Sequence, residues 1–156
     1  MAQDRPKHHA GPRLVNKKAR FEFEILEKVE AGIALKGTEV KSLRLGNASL
    51  NEAYARIDGD QVRLVNFQIQ PYEQAGKFNH DPKRLKQLLL HRREINKLTS
   101  KVQIRGQTLI PLCVYFNAQG KAKVELALAR GRTHSDKRQQ EKKREDQREM
   151  RRAERR

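Results

Sequence analysis

The stretch AYARIDGDQVRLVNFQI, Ala53–Ile69, decides the fold class. Two segments with apolar side chains at alternate positions, AYARI and QVRLVNFQI, flank Asp58-Gly59-Asp60. Alternation is the period of a half-buried strand, and Asp-Gly supplies the backbone freedom a tight hairpin turn needs. The stretch therefore predicts an antiparallel hairpin.

Downstream, PYEQAGKFNHDPKR (Pro71–Arg84) reads as a loop. Asp81-Pro82 predicts a helix start, with Asp81 as N-cap, Pro82 in the first helical position, and Leu85, Leu88 and Leu89 as the apolar face. A second helical piece has Glu94 in its first turn and Ile95, Leu98 and Val102 at helical spacing. TLIPLCVYF (Thr108–Phe116) and AKVELALA (Ala122–Ala129) then form a second hairpin around Asn117–Lys121, with Val124, Leu126 and Leu128 on one face.

Upstream, GTEVKSLRLG predicts a short helix, capped by Thr38 and stopped by Gly46, with Val40, Leu43 and Leu45 facing inward. FEFEI (Phe21–Ile25) alternates like a strand, and Ala31-Gly32 reads as a turn into Ile33–Leu35. Residues 1–13 read as a flexible polar arm broken by Pro6, Gly11 and Pro12. The expected fold is mainly β with about three short helices, an α+β chain whose antiparallel strands close into a small barrel over 14–131.

Charge narrows the function. The 156 residues carry a net +16; residues 132–156 hold 11 of the 35 basic and 6 of the 19 acidic side chains, a net of +5, which leaves +11 on the rest. Such a field on both parts points to a polyanion. The N-terminus has no apolar stretch of a secretory type, and LIPLCVYF falls far short of the roughly 20 residues a bilayer span needs. The lone Cys113 suits a reducing cytoplasm. Nucleic acid is favoured over a membrane.

No catalytic constellation is visible. His80 and Asp81 are neighbours in sequence rather than a pocket pair, and Cys113 lies in an apolar run where a thiol is inert. His8, His9, His80, His91 and His134 lack metal-ligand spacing. No cofactor is expected. Two basic clusters carry more information: NKKAR (Asn16–Arg20), placed to reach phosphates from the start of a strand, and KRLKQLLLHRRE, with Lys83, Arg84, Lys86, Arg92 and Arg93 around leucines.

The tail, residues 132–156, has only Met150 and Ala153 as apolar residues after Gln139. On a helix Arg144, Arg148, Arg152 and Arg156 would form one row and Glu141, Glu145 and Glu149 an adjacent one. Ion pairs at about 0.2–0.5 kcal/mol each are too weak to hold such a helix in water. The expectation is disorder in the free chain and helix against phosphates.

NKKARFEFEILEKVEAGIALKGTEVKSLRLG, PYEQAGKFNHDPKRLKQLLLHRREI, KVELALARGR and SDKR together resemble the small protein B (SmpB) family, the SsrA-binding proteins, over Leu14–Arg138. The resemblance implies an oligonucleotide-binding (OB)-type barrel that binds the tRNA-like domain of transfer-messenger RNA in bacterial trans-translation. It also implies a non-enzyme that supports alanylation of that RNA. Alanyl-tRNA synthetase and elongation factor Tu are then met indirectly, through the RNA, and the ribosome at the decoding site and mRNA channel of its small subunit. By position it marks Asn16, Glu30 and Leu89 as RNA-binding, with Lys17, Lys18 and Arg20 as phosphate partners; a carboxylate such as Glu30 can accept from base amino groups, and Leu89 could instead be core. It marks His134, Asp136, Lys137 and Arg138, with the tail arginines, for the ribosome. Ser135 stands where the family often has an aromatic or His, with His134 one place earlier, and Phe23 where a Tyr is common. A ribosomal or ribosome-assembly protein with an rRNA-binding tail is the alternative, and an RNA-processing enzyme a more distant one.

Overall fold

The computed structural model describes residues 11–155, so most of the expected arm at 1–13, and Arg156, lie outside the described residues. In chain order the elements are β1 (Leu14–Val15), α1 (Ala19–Glu22), β2 (Phe23–Ile33), α2 (Gly37–Arg44), β3 (Ala48–Ser49), β4 (Tyr54–Asp58), β5 (Gln61–Val65), β6 (Gln68–Ile69), β7 (Lys86–Leu89), α3 (Arg92–Val102), β8 (Gln107–Phe116), β9 (Ala122–Gly131) and α4 (His134–Glu154). A 3-10 segment, Glu73–Phe78, lies between β6 and β7.

The hairpin at Asp58-Gly59-Asp60 forms as expected. β4 and β5 pair from Tyr54↔Val65 to Asp58↔Gln61, and Gly59 has φ +60° at the tip. The second strand stops short of Ile69, because Asn66 adopts φ +61° and Phe67 turns its ring wholly into the core. β6 then pairs with β3 in a separate two-stranded sheet.

The main sheet is antiparallel and runs β1-β8-β4-β5-β7-β2-β9; β9 also pairs with β8. The pairings thus run in a ring through six strands, and the architecture is mixed α+β. Val124, Leu126 and Leu128 of β9 point inward, with Val62, Leu64, Leu88, Leu109 and Val114 from the facing strands and Ile95 and Leu98 from α3. A second, smaller cluster sits outside β8 and β9, where Ala19 packs on Ile110, Leu112, Ala127 and Ala129.

Several local expectations are overturned. Asp81-Pro82 opens no helix: Asp81 Oδ1 accepts from the Lys83 amide at 2.9 Å, closing a turn, and Lys86–Leu89 is a strand. The spacing of Leu85, Leu88 and Leu89 fits a helix, but a short apolar run fits a strand too; pairing with β5 and β2 on its two edges decides. Ala31-Gly32 makes no turn, since β9 and β7 hold β2 extended on both sides there. Phe21 and Glu22 belong to α1, so the strand begins at Phe23. Thr38 does not cap α2; Lys36 holds that place, its amide donating to Glu39 Oε1 at 2.8 Å, while Thr38 meets His80. Leu45 is 65 % exposed. Gly46, φ +78°, ends the helix as expected.

Lys86 explains why this strand lies as it does. Its side chain is fully buried and donates to the Phe67 carbonyl at 2.5 Å and the Pro82 carbonyl at 3.3 Å, with Glu39 Oε2 at 3.9 Å. Glu39, also fully buried, receives Arg84 Nη2 at 2.5 Å. Lys86 and Arg84 therefore serve the interior, not a basic surface.

Candidate nucleic-acid interface

Antiparallel partners share a face of the sheet, so the register aligns side chains across the ring. One line runs Leu89 on β7, Gly32 on β2, Lys123 on β9 and Tyr115 on β8. The next runs Glu30, Glu125, Cys113 and Val15. Both lie on the outer side, because alternation sends Leu88, Val114, Val124 and Leu126 inward.

Leu89 is 54 % exposed, so its reading as core is excluded. It lies across Gly32, where an added Cβ would come within 3.2 Å of the Leu89 Cβ; glycine lets the leucine lie close over β2. Glu30, Gly32 and Leu89, with His91 and Glu94 at the start of α3 and Lys121 and Lys123 beyond the β8–β9 turn, line an open groove of about 670 Å³. Its lining combines apolar side chains with the acidic Glu30 and Glu94 and the basic Lys121 and Lys123.

Two carboxylates stand side by side on this face, and their partners differ. Glu125 has Lys28 Nζ at 3.5 Å and Arg13 Nη2 at 3.7 Å. Glu30 meets no cation among the described residues; the Tyr115 hydroxyl donates to its Oε2. Burial and then the Glu30 carboxylate push the Tyr115 phenol well above its ordinary range, so it stays a donor at neutral pH. The Cys113 thiol, buried on this outer side beneath Arg13 and Glu125, is likewise raised, first by burial and then by Glu125, which suits an unreactive thiol.

Asn16 is bonded to the sheet itself. Its side-chain Nδ2 donates to the Pro111 carbonyl at 3.0 Å and its amide to the Leu112 carbonyl at 2.8 Å. Both bonds fall where β8 bulges against β9. Asn16 thus ties down the turn at Lys17-Lys18, and buried Ala19 pins the start of α1 on the sheet, leaving Lys17, Lys18 and Arg20 exposed. This segment follows Val15 and so shares the outer face with Glu30, roughly 14 Å away across three strand spacings.

The residues that sequence reasoning missed are Tyr115, Lys121 and Lys123. Outward alternation along β8 and β9 was the available sign: Tyr115 lies next to inward Val114, and Lys123 next to inward Val124. Among the described residues no group of three or more His, Cys, Asp or Glu could hold a metal, and no helix is long and apolar enough to cross a membrane.

A family model described as SmpB protein matches residues 13–156. The chain belongs to the SmpB family. It is 50 % identical over 154 residues to the SsrA-binding protein of Rhizorhabdus wittichii, covering 97 % of this chain and 96 % of that one. It is 55 % identical over 140 residues to the SsrA-binding protein of Methylobacterium nodulans, covering 88 % and 89 %. A solved chain from the work described as "tmRNA-SmpB: a journey to the center of the bacterial ribosome" superposes with a TM-score of 0.68 at 50 % identity, over 80 % of this chain and 87 % of the other.

In this SmpB-family chain the tail is the helix α4, whose described residues from Glu141 onward are all exposed. Lys137, Arg138, Arg144, Arg148 and Arg152 lie on it, as do the backbones of His134 and Asp136. The expected rungs between Glu141, Glu145, Glu149 and the arginine row are absent: among the described residues α4 forms no ion pair. Exposed pairs are too weak to fix long side chains. In the Lys83–Arg93 cluster, Arg92 meets Asp60 at 3.1 Å, while Lys83 and Arg93 are exposed.

Proposed function

We propose that this chain is the RNA-binding factor of trans-translation. It binds the tRNA-like domain of transfer-messenger RNA through the outer face of an OB-type barrel. It supports alanylation of that RNA and its delivery with elongation factor Tu to stalled ribosomes. The chain catalyses no reaction itself; it supplies a shaped surface. The names of the relatives, the bacterial ribosome named with the solved neighbour, and the six-strand ring of pairings support this reading.

The observation that carries it is the pairing of an exposed leucine with a carboxylate that meets no cation among the described residues, on a chain of net +16. Leu89 and Gly32 offer an apolar surface to a base or ribose. Glu30, aimed by Tyr115, accepts from a base amino group, and Lys121 and Lys123 meet phosphates. Lys17, Lys18 and Arg20 extend the contact along the backbone, with Asn16 holding them in place.

The tail, residues 132–156, works separately. The body gives this helix little support, since it meets only α1 near its start and is exposed from Glu141 onward; an isolated helix of this composition is marginal in water, so in the free chain it melts to a disordered tail. Laid in the empty mRNA channel of the small subunit, it becomes helical, its arginines facing rRNA phosphates, and so reports missing message. Tagging of the nascent peptide and release of the ribosome follow. Deleting residues 132–156 tests the division of labour. The truncated chain should bind the tRNA-like RNA within about twofold of the full chain and fail to support peptide tagging on stalled ribosomes. Loss of RNA binding by that truncation overturns the reading.

A further inference from the structure

The groove leaves the FNHDP segment, Phe78–Pro82, unused, and the structure gives its polar residues another task. Asn79 closes a loop: its Oδ1 accepts from the Tyr72 amide at 2.8 Å, and its Nδ2 donates to the Tyr72 carbonyl at 2.7 Å and the Gly76 carbonyl at 3.4 Å. His80, 5 % exposed, is held between the Thr38 hydroxyl and the Ile69 carbonyl, each at 2.9 Å. Ile69 donates its amide to the Pro82 carbonyl at 3.0 Å. Gly76 supplies the one left-handed position the loop needs, φ +55°.

Between these fastenings Phe78 stands 78 % exposed, more than any other large apolar side chain among the described residues. A slack loop could fold the ring back onto the body; this one holds it out. Lys77 Nζ lies 5.4 Å from the Phe78 ring centre, and Lys41 Nζ lies 5.5 Å from the ring of Tyr72 at the root of the loop. Lys83 is exposed just beyond. A ring beside ammonium groups complements a nucleotide, whose base can stack while its phosphate meets a cation. An apolar protein pocket fits less well, since lysines are depleted from the centres of such interfaces.

We propose that Phe78, with Lys77 at its ring, is a stacking platform for one unpaired RNA base, separate from the Glu30–Leu89 groove. Helix α2 lies between them: Val40 lines the groove, while Thr38 and Lys41 meet the loop. The proposal rests on the RNA-binding reading only for the class of partner.

The chain contains no Trp, so Phe78→Trp in the full-length protein makes a single fluorescent reporter. Titration with a single-stranded decaadenylate RNA should quench its emission about twofold or more, saturably. The same quench should persist when Glu30→Ala and Leu89→Ala are added, which separates this surface from the groove. In a parallel gel-shift series Phe78→Ala should weaken binding of that RNA about five- to tenfold, while Phe78→Trp retains it. Three results overturn the platform: no quench, a quench lost with the groove substitutions, or an equal quench by inorganic polyphosphate. A blue shift with isolated ribosomal proteins but no response to RNA also overturns it and makes the loop a protein contact.

Discussion

The Tyr115 hydroxyl donates a hydrogen bond to the Glu30 carboxylate across the intervening strand β9. Glu30 and its directly paired neighbour Glu125 would otherwise present two equivalent acids. Lys28 and Arg13 pair with Glu125, whereas Glu30 meets no cation among the described residues and is held in one orientation by a neutral donor. A phenol suits this place because it fixes the carboxylate without cancelling it.

Tyr115→Phe should therefore weaken binding of the tRNA-like RNA about tenfold, the scale of one hydrogen bond to a charged group. In a Glu30→Gln background the same change should add little. Binding constants for the four proteins of this cycle check it; full additivity would show that Tyr115 does not act through Glu30.

Asn16 and its neighbours should separate cleanly. Asn16→Ala removes the bond to Pro111 and should cost about 1–2 kcal/mol of stability as well as RNA affinity. Lys17→Gln and Lys18→Gln should leave the melting temperature unchanged, weaken binding, and each reduce the log–log salt slope by about 1. Thermal melts beside salt-dependent binding decide the matter.

Adjacent leucines on β7 should behave oppositely. Leu88→Ala empties a buried position, 2 % exposed, and should cost about 2–5 kcal/mol. Leu89→Ala should cost less than about 1 kcal/mol and lose RNA binding instead. Urea unfolding of both variants would reveal an error if the order were reversed.

Lys86 predicts a rise in stability with pH. Burial lowers its ammonium to about 8, with Glu39 opposing, against 10.5 for an ordinary lysine. Above pH 8 the folded chain has released this proton while the unfolded chain still holds it, so unfolding takes up a proton and becomes harder as pH rises. Between pH 8 and 10 the native chain should gain about 2 kcal/mol relative to Lys86→Met. Parallel denaturation series over that window give the difference directly. A flat difference would mean that Glu39 keeps Lys86 charged.

Glu39 works in the opposite range. Burial raises its carboxyl, but hydrogen bonds from Arg84 and the Lys36 amide outweigh burial and hold it below 4.5. Its contribution is present above that value and lost as the pH falls below it. Glu39→Leu strands the buried Lys86 and the half-buried Arg84 and should cost about 3–5 kcal/mol at pH 7, measured by chemical denaturation.

Much of the candidate site was legible because its residue types are unusual for their surroundings. The cations of NKKAR announce an exposed segment, and Glu30 appears in a family pattern where an acid needs a reason. Tyr115 and Lys123 were not legible. Their place at the candidate site comes from sheet pairing, Tyr115 standing across one strand from Glu30 and Lys123 directly opposite Gly32, residues some 85 to 91 positions apart in the chain. Asn16 was legible as polar and next to exposed cations, but its side-chain amide is engaged by the Pro111 carbonyl, which no local pattern indicates.

By itself the sequence determined the elements whose cause is local. Asp58-Gly59-Asp60 makes a hairpin, Val124, Leu126 and Leu128 alternate into one face, Gly46 stops a helix, and the charge of the chain points toward a polyanion. Tertiary structure alone decided that Lys86–Leu89 is a strand, that β2 passes through Ala31-Gly32 without turning, and that Leu89 faces out over Gly32. The physical reason is that a short leucine run suits a helix or a strand about equally. Hydrogen bonds from strands distant in sequence, with the burial of Lys86 against Glu39, fix which backbone it adopts and which side chain reaches the solvent.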